Sequence, residues 1–337
     1  MRSLITAMFL ALPTPSHAAD HSVTVTSVID QHVLPGFSNF AQETKELHAA
    51  ATADCRAGSP RLTQAFNDSF DAWIRVGHLR FGPTEFDDRA FALAYWPDTK
   101  GFTPKTLTRL MTARDKAAYD RDDFRQISIA GRGFYALEFL LYDAGLSTLG
   151  DAGYRCALTR AITQDIADNA AAILADWRAG YTDTLTRPGA GRTYETAQES
   201  MQELYKSLVG GLQFTADTRL GRPLGTFDRP RPTRAEARRS GRSLRHVVLS
   251  LEAARELATM LAGDDTALAT TLSGAFDETL SQATALNDPV FAGVASPQAR
   301  LKVEILQQSI TGLRDRITSS LGPHLGVSAG FNALDGD

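Results

Sequence analysis

The stretch "GRGFYALEFLLYD", residues 131–143, places a single carboxylate, Glu138, inside an otherwise apolar run. From Gly133 to Tyr142 no other side chain is charged, and apolar residues occupy every face of the helix this segment predicts. A helix that is hydrophobic all round belongs in a core, and an ionised carboxylate is rarely buried without a partner. The segment therefore predicts a core helix. Glu138 predicts an arginine, a metal ion or a ligand brought to it by another part of the chain.

Outward from this point, helical period dominates. Residues 61–81 carry Phe66, Phe70, Trp73, Gly77 and Arg80 on one stripe, ending at Gly82–Pro83. Residues 155–178 align Leu158, Ile162, Ile166, Ala170, Ile173 and Trp177, and residues 194–214 align Met201, Leu204, Leu208 and Leu212. "TRAE", 233–236, reads as a capping box in which Thr233 answers Glu236, opening a helix to about Ala262. Residues 266–286 and 297–321 repeat the pattern, whereas strand-like alternation is confined to "VTVTSV", 23–28. The expected fold class is all-α, with two helical bundles that leave room for a duplicated four-helix unit. The Gly/Pro-bearing stretch 184–193 marks the boundary between an N-terminal bundle, 19–185, and a C-terminal bundle, 186–337.

Residues 1–18 read differently. Arg2, the apolar run "LITAMFLAL" and the small-residue site "PSHA" form a secretory signal peptide. No cysteine sits at the cleavage point, so the expected mature protein is periplasmic and not lipid-anchored. The net charge of −4 disfavours nucleic acid as a partner. Cys55 and Cys156 are the two cysteines of the chain, and in an oxidising compartment they are expected to form one disulfide.

The six histidines of the expected mature chain, His21, His32, His48, His78, His246 and His324, are scattered, with no two at helical-turn spacing. No HExxH, CxxC, CxxCH or GxSxG occurs, so a histidine-based metal centre would have to be assembled from distant residues. Three local clusters carry chemistry. Tyr135 and Glu138 share a face at i, i+3. In "HLRFGPTEFDDRAFALAYWPDTKG", 78–101, Arg80 is expected to point inward, Glu85 and Asp98 could supply oxygen ligands, and Trp96–Pro97 could wall a pocket. Solvated or capping carboxylates are the plainer account of Glu85 and Asp98. Seven arginines fall between Arg229 and Arg245, and on a helix Arg238, Arg242 and Arg245 would share one face. That face is either a solvated basic surface or a site for a small anion or a protein partner. Ser240–Gly241 within it would let another backbone approach closely.

With "WPDTKG", "GFYALEFLLYD", "RSGRSL" and the terminal "GFNALDGD" in order, the chain resembles the imelysin family. These are exported, all-helical bacterial proteins first grouped with metallopeptidases and often tied to iron regulation. The resemblance implies two helical bundles with a site at their interface. The family signature is GxHxxE; Gly133 and Glu138 match it, but Tyr135 stands where the histidine belongs. A neutral imidazole is a good metal ligand and proton shuttle, whereas a phenol of pKa ~10 stays protonated at neutral pH. A phenolate can still bind ferric iron. The leading expectation is a non-catalytic periplasmic binding protein linked to iron acquisition. Its ligand set would be Glu138, Tyr135, Arg80, Trp96, Asp98, Ser240 and Arg242, and its metal ligands would be Glu138, Tyr135, Glu85 and Asp98. Its partners would be a metal ion or small anion and a periplasmic or outer-membrane protein. The rivals are a metallopeptidase using Glu138, and a metal-free partner-binding module with a structural Glu138–Arg80 pair.

Overall fold

The first long helix, α1, covers residues 21–53 as His21–Val28, a π turn at Ile29–Val33 and Leu34–Ala53. The stretch expected as a strand, "VTVTSV", is thus the start of this helix. Val25, Val28 and Ile29 are buried at i, i+3, i+4, and their packing decides against the local β preference of valine and threonine. The computed structural model describes residues 21–328, so the expected signal peptide, 1–18, and the terminal "GFNALDGD" lie outside the described residues.

Pro60–Val76 (α2) is capped by Ser59, whose hydroxyl accepts from the Leu62 N–H, and Phe66, Phe70 and Trp73 are buried along it. It stops at Gly77, earlier than the sequence stripe suggests, so Arg80 lies past its end. Phe102–Ala113 (α3) and the core helix Gly133–Tyr142 (α4) follow, then Ala152–Asp176 (α5), which Asp151 caps through the Tyr154 N–H. Residues 34–53, α2, α4 and α5 form the first bundle, centred on Phe37, Phe40, Phe66, Phe70 and Phe134. Phe70 and Phe134 stack at 4.5 Å, so α2 and α4 are joined by aromatic faces.

Ala197–Gln213 (α6), Ser243–Leu261 (α7), Thr266–Ala285 (α8) and Pro297–Leu325 (α9) make the second bundle. A Thr-x-x-Glu cap operates at α6, where Thr196 accepts from the Glu199 N–H at 3.2 Å. It does not operate at 233–236, where a short 3-10 turn, Pro232–Arg234, is followed by irregular backbone. Ala237 and Gly241 have φ of 44° and 73°, and α7 begins only at Ser243. Arg238, Arg242 and Arg245 therefore do not form one helix face. Helix α7 packs on α2, and residues 21–28 of α1 pack on α6 and α7. The two bundles share a continuous core. No strand occurs among the described residues, and no helix among them is long and apolar enough to cross a membrane.

Cys55 and Cys156 are bonded to each other, with Cα atoms 5.1 Å apart, joining the end of α1 to the first turn of α5.

Candidate ligand site at the bundle junction

Gly133 starts α4 in a conformation only glycine tolerates easily, with φ of 73°. A Cβ there would lie 2.2 Å from the Leu93 carbonyl and 2.3 Å from that of Ala92. The missing side chain lets α4 seat against Arg89–Leu93 and turns Tyr135 and Glu138 towards the second bundle. Gly133→Ala is expected to lower stability by about 2–3 kcal/mol through αL strain and crowding. Urea unfolding reads this directly, and an unchanged midpoint would contradict the close approach.

Glu138 is buried, and neither Arg80 nor Arg242 meets it. Its partner is Ser240, which gives one carboxylate oxygen, Oε1, both its main-chain N–H at 2.9 Å and its hydroxyl at 2.8 Å. The hydrogen bonds among the described residues leave Glu138 Oε2 unused. Burial pushes the Glu138 pKa up, against the pull of the two Ser240 bonds. Arg239 adds positive potential from nearby, but its guanidinium is committed to Asp143 at 3.0 Å and to the Phe139 ring face.

Tyr135 points to Glu236, a carboxylate that the capping-box reading placed at a helix start. Its hydroxyl donates to Glu236 Oε1 at 2.5 Å. Glu236 Oε2 takes the Arg219 Nε–H at 2.7 Å and lies 3.2 Å from His246 Nδ1. Burial would raise the Glu236 pKa, but the Arg219 charge and His246 outweigh it and hold it at about 2. Burial, reinforced by Glu236, drives the Tyr135 pKa well above the usual phenol range. Tyr135 is therefore a neutral donor and not the phenolate that an iron ligand would require. Burial also lowers His246, against the attraction of Glu236. The capping box fails at 233–236 for this reason. A charge-assisted bond to Arg219 inside the protein is stronger than a cap worth about 1 kcal/mol at the surface.

The other expected residues sit elsewhere or act differently. Arg80 is exposed and pairs with Glu85 at 2.5 Å, so both leave the site. Asp98 accepts from the Phe102 and Thr103 N–H groups at 2.9 and 2.8 Å and is a helix cap. Arg242 binds Asp71 on α2, and Arg245 joins the same carboxylate at 3.1 Å. The expected metal quartet of Glu138, Tyr135, Glu85 and Asp98 is not assembled. Among the described residues no three His, Cys, Asp or Glu side chains converge as a metal centre. Trp96 does face the junction, its ring 6.3 Å from Tyr135 and 6.0 Å from Phe214, with Arg222 over its face.

Arg219, Glu236 and His246 were not legible as site residues. Arg219 sits in a π turn, Phe214–Leu220, and Glu236 in irregular backbone, so neither has a periodic signature. His246 had one signal. It lies on the stripe of Ala253 and Leu257, a polar ring on a buried face.

Two helical bundles joined by a core helix that carries one buried carboxylate, answered by a Ser-Gly turn of the second bundle, define a class of all-helical site-bearing proteins. The chain belongs to the imelysin family, whose model matches residues 33–317. It is similar to iron-regulated protein A of Synechococcus elongatus, 24% identical over 322 residues that cover 89% of this chain and 85% of that one. An imelysin-like protein from Psychrobacter arcticum has the same fold, with a TM-score of 0.78 at 20% identity, covering 97% of this chain and all of that one. A Parabacteroides distasonis protein described as an iron-regulated protein A precursor matches with a TM-score of 0.74 at 12% identity, covering 91% and 96% of the two chains.

Proposed function

We propose that this protein is an exported, periplasmic imelysin-like binding protein with an iron-related role, whose ligand site lies at the bundle junction around Glu138. One observation carries the reading. Glu138 is a buried carboxylate with one oxygen seated on Ser240 and the other left for an incoming cation or donor. No arginine is hydrogen-bonded to either oxygen of Glu138, so the carboxylate is not one half of a structural ion pair. Relatives described as iron-regulated connect this kind of protein to iron, and iron is the cation we assign to the site. The donors around Glu138 do not make a closed centre, because Glu236 is saturated and Tyr135 is held as a phenol. An ion taken by Glu138 would keep much of its water, which suits reversible binding of hydrated ferrous iron over peptide hydrolysis.

The test is Glu138→Gln, which preserves shape and the contact to Ser240. The folded-state pKa of Glu138 is raised, so its charged form detracts from stability at neutral pH. The glutamine variant is expected to melt at or above the wild-type temperature at pH 7. In anaerobic equilibrium dialysis against Fe2+ it should bind at least about tenfold more weakly, a loss of ~1.4 kcal/mol. Equal iron retention by both proteins would overturn the reading. So would a steep fall in melting temperature with no iron held by either.

A further inference from the structure

Two histidines outside the Glu138 site meet at the same junction. His32 lies in the π turn of α1 and His78 just beyond α2, and their Nε2 atoms are 3.3 Å apart. The other nitrogen of each ring is engaged elsewhere. His32 Nδ1 lies 3.4 Å from Glu256 Oε2, and the main chain of Arg75 lies near the His78 ring and favours an N–H there. With Nε2 of His78 turned to His32, that N–H falls to Nδ1. Partners of this kind keep the ring proton on Nδ1 and leave Nε2 as a bare lone pair.

With Nδ1 the protonated nitrogen of each ring, the two Nε2 lone pairs 3.3 Å apart would repel unless a cation lay between them. The spacing is that of two ligands on one ion. Imidazole nitrogens ~2.0–2.1 Å from a tetrahedral metal stand about 3.3 Å from each other. The partners behind the rings, a carboxylate on one and a carbonyl on the other, are those that orient metal-bound histidines.

The surroundings of His78 suit a neutral ligand. Burial first, and His32 next, hold His78 well below its ordinary pKa, so its ring is uncharged at neutral pH. Arg219 also bears on His78, but Glu236 binds its guanidinium. Helix α6 fixes the position of His78, since a Cβ on Gly211 would lie 2.8 Å from the His78 Cβ. His32 is buried, while His78 is partly exposed and the Glu256 side chain is about half exposed, which leaves a way in from solvent.

We propose that His32 and His78 bind a divalent first-row transition-metal ion, such as zinc, through their two Nε2 atoms, with its remaining positions open to water or an incoming ligand. The site is separate from Glu138 and stands whether or not Glu138 takes iron. Two protein ligands fall short of a structural centre, so binding is reversible and the open positions are its chemical resource.

Co2+ is the probe, used on tag-free protein, because its visible absorption bands report imidazole coordination. In wild type the imidazole bands should saturate at one equivalent of Co2+, and an ion held by the Glu138 carboxylate adds no such band. His32→Gln and His78→Gln should each bind at least about tenfold more weakly, with circular dichroism confirming the fold. Glu256→Gln keeps both ligands but removes the carboxylate behind His32, and is expected to weaken binding ~10–100-fold. Zn2+ should raise the melting temperature of wild type but not of His78→Gln. Absence of Co2+ bands in wild type would overturn the proposal and leave the pair as a proton-sharing contact. Undiminished binding in both histidine variants would overturn it equally.

Discussion

Arg219→Met is expected to destabilise the protein by about 3–5 kcal/mol, because it leaves Glu236 as a buried carboxylate without its cation. Glu236 is 2% exposed, and its other contacts, Tyr135 and a His246 held neutral by burial, cannot replace a guanidinium. Urea unfolding at pH 7 gives the magnitude, and a loss below about 1 kcal/mol would show that Glu236 is not charged. The double variant Arg219→Met with Glu236→Gln removes the stranded charge, and should recover most of the loss. The pair also sets an acid limit. The Glu236 pKa is depressed from 4.5 to about 2 on folding, so its contribution is complete above about 4.5 and disappears as pH falls through about 2. In Arg219→Met the melting temperature should lose most of its dependence on pH across that window.

Replacing Cys55 and Cys156 by serine is expected to remove a comparable amount. The bond closes a loop with a sequence separation of 101, worth about 4–5 kcal/mol in the chain-entropy model. It ties α1, which spans both bundles, to α5, so the loss should appear in both bundles together. Mass spectrometry of the non-reduced protein should find no alkylatable thiol, and two labelled cysteines would refute the pairing. A melting temperature unchanged by reduction would show that the loop is already constrained in the unfolded chain.

Much of the fold was legible because burial imposes a period. Leu158, Ile162, Ile166, Ala170 and Ile173 repeat with the helical turn, and the structure buries all of them along α5. The same logic found Glu138, since a lone carboxylate in an apolar helix needs a partner whatever that partner is. It misread Arg80, because the stripe continued on paper after α2 had stopped at Gly77. It misread "VTVTSV" too, where local alternation competed with a buried helical face.

The partners were not legible. Ser240 reaches Glu138 across 102 positions, and Tyr135 reaches Glu236 across 101. Glu236 looked like a cap for Thr233 because a capping box needs only local spacing, while the groups around its carboxylate, Arg219, Tyr135 and His246, come from three separate elements. His32 and His78 share no helical turn and become neighbours only when α1 packs on the end of α2. By itself, then, the sequence determined the helical elements, the family and the carboxylate that had to be answered. These depend on periodicity and on the cost of burying charge, which each segment carries alone. Only the tertiary structure decided what answers Glu138, which ion pair is sealed in the junction and which histidines meet. Those contacts join side chains from separate elements, and no spacing along the chain encodes them.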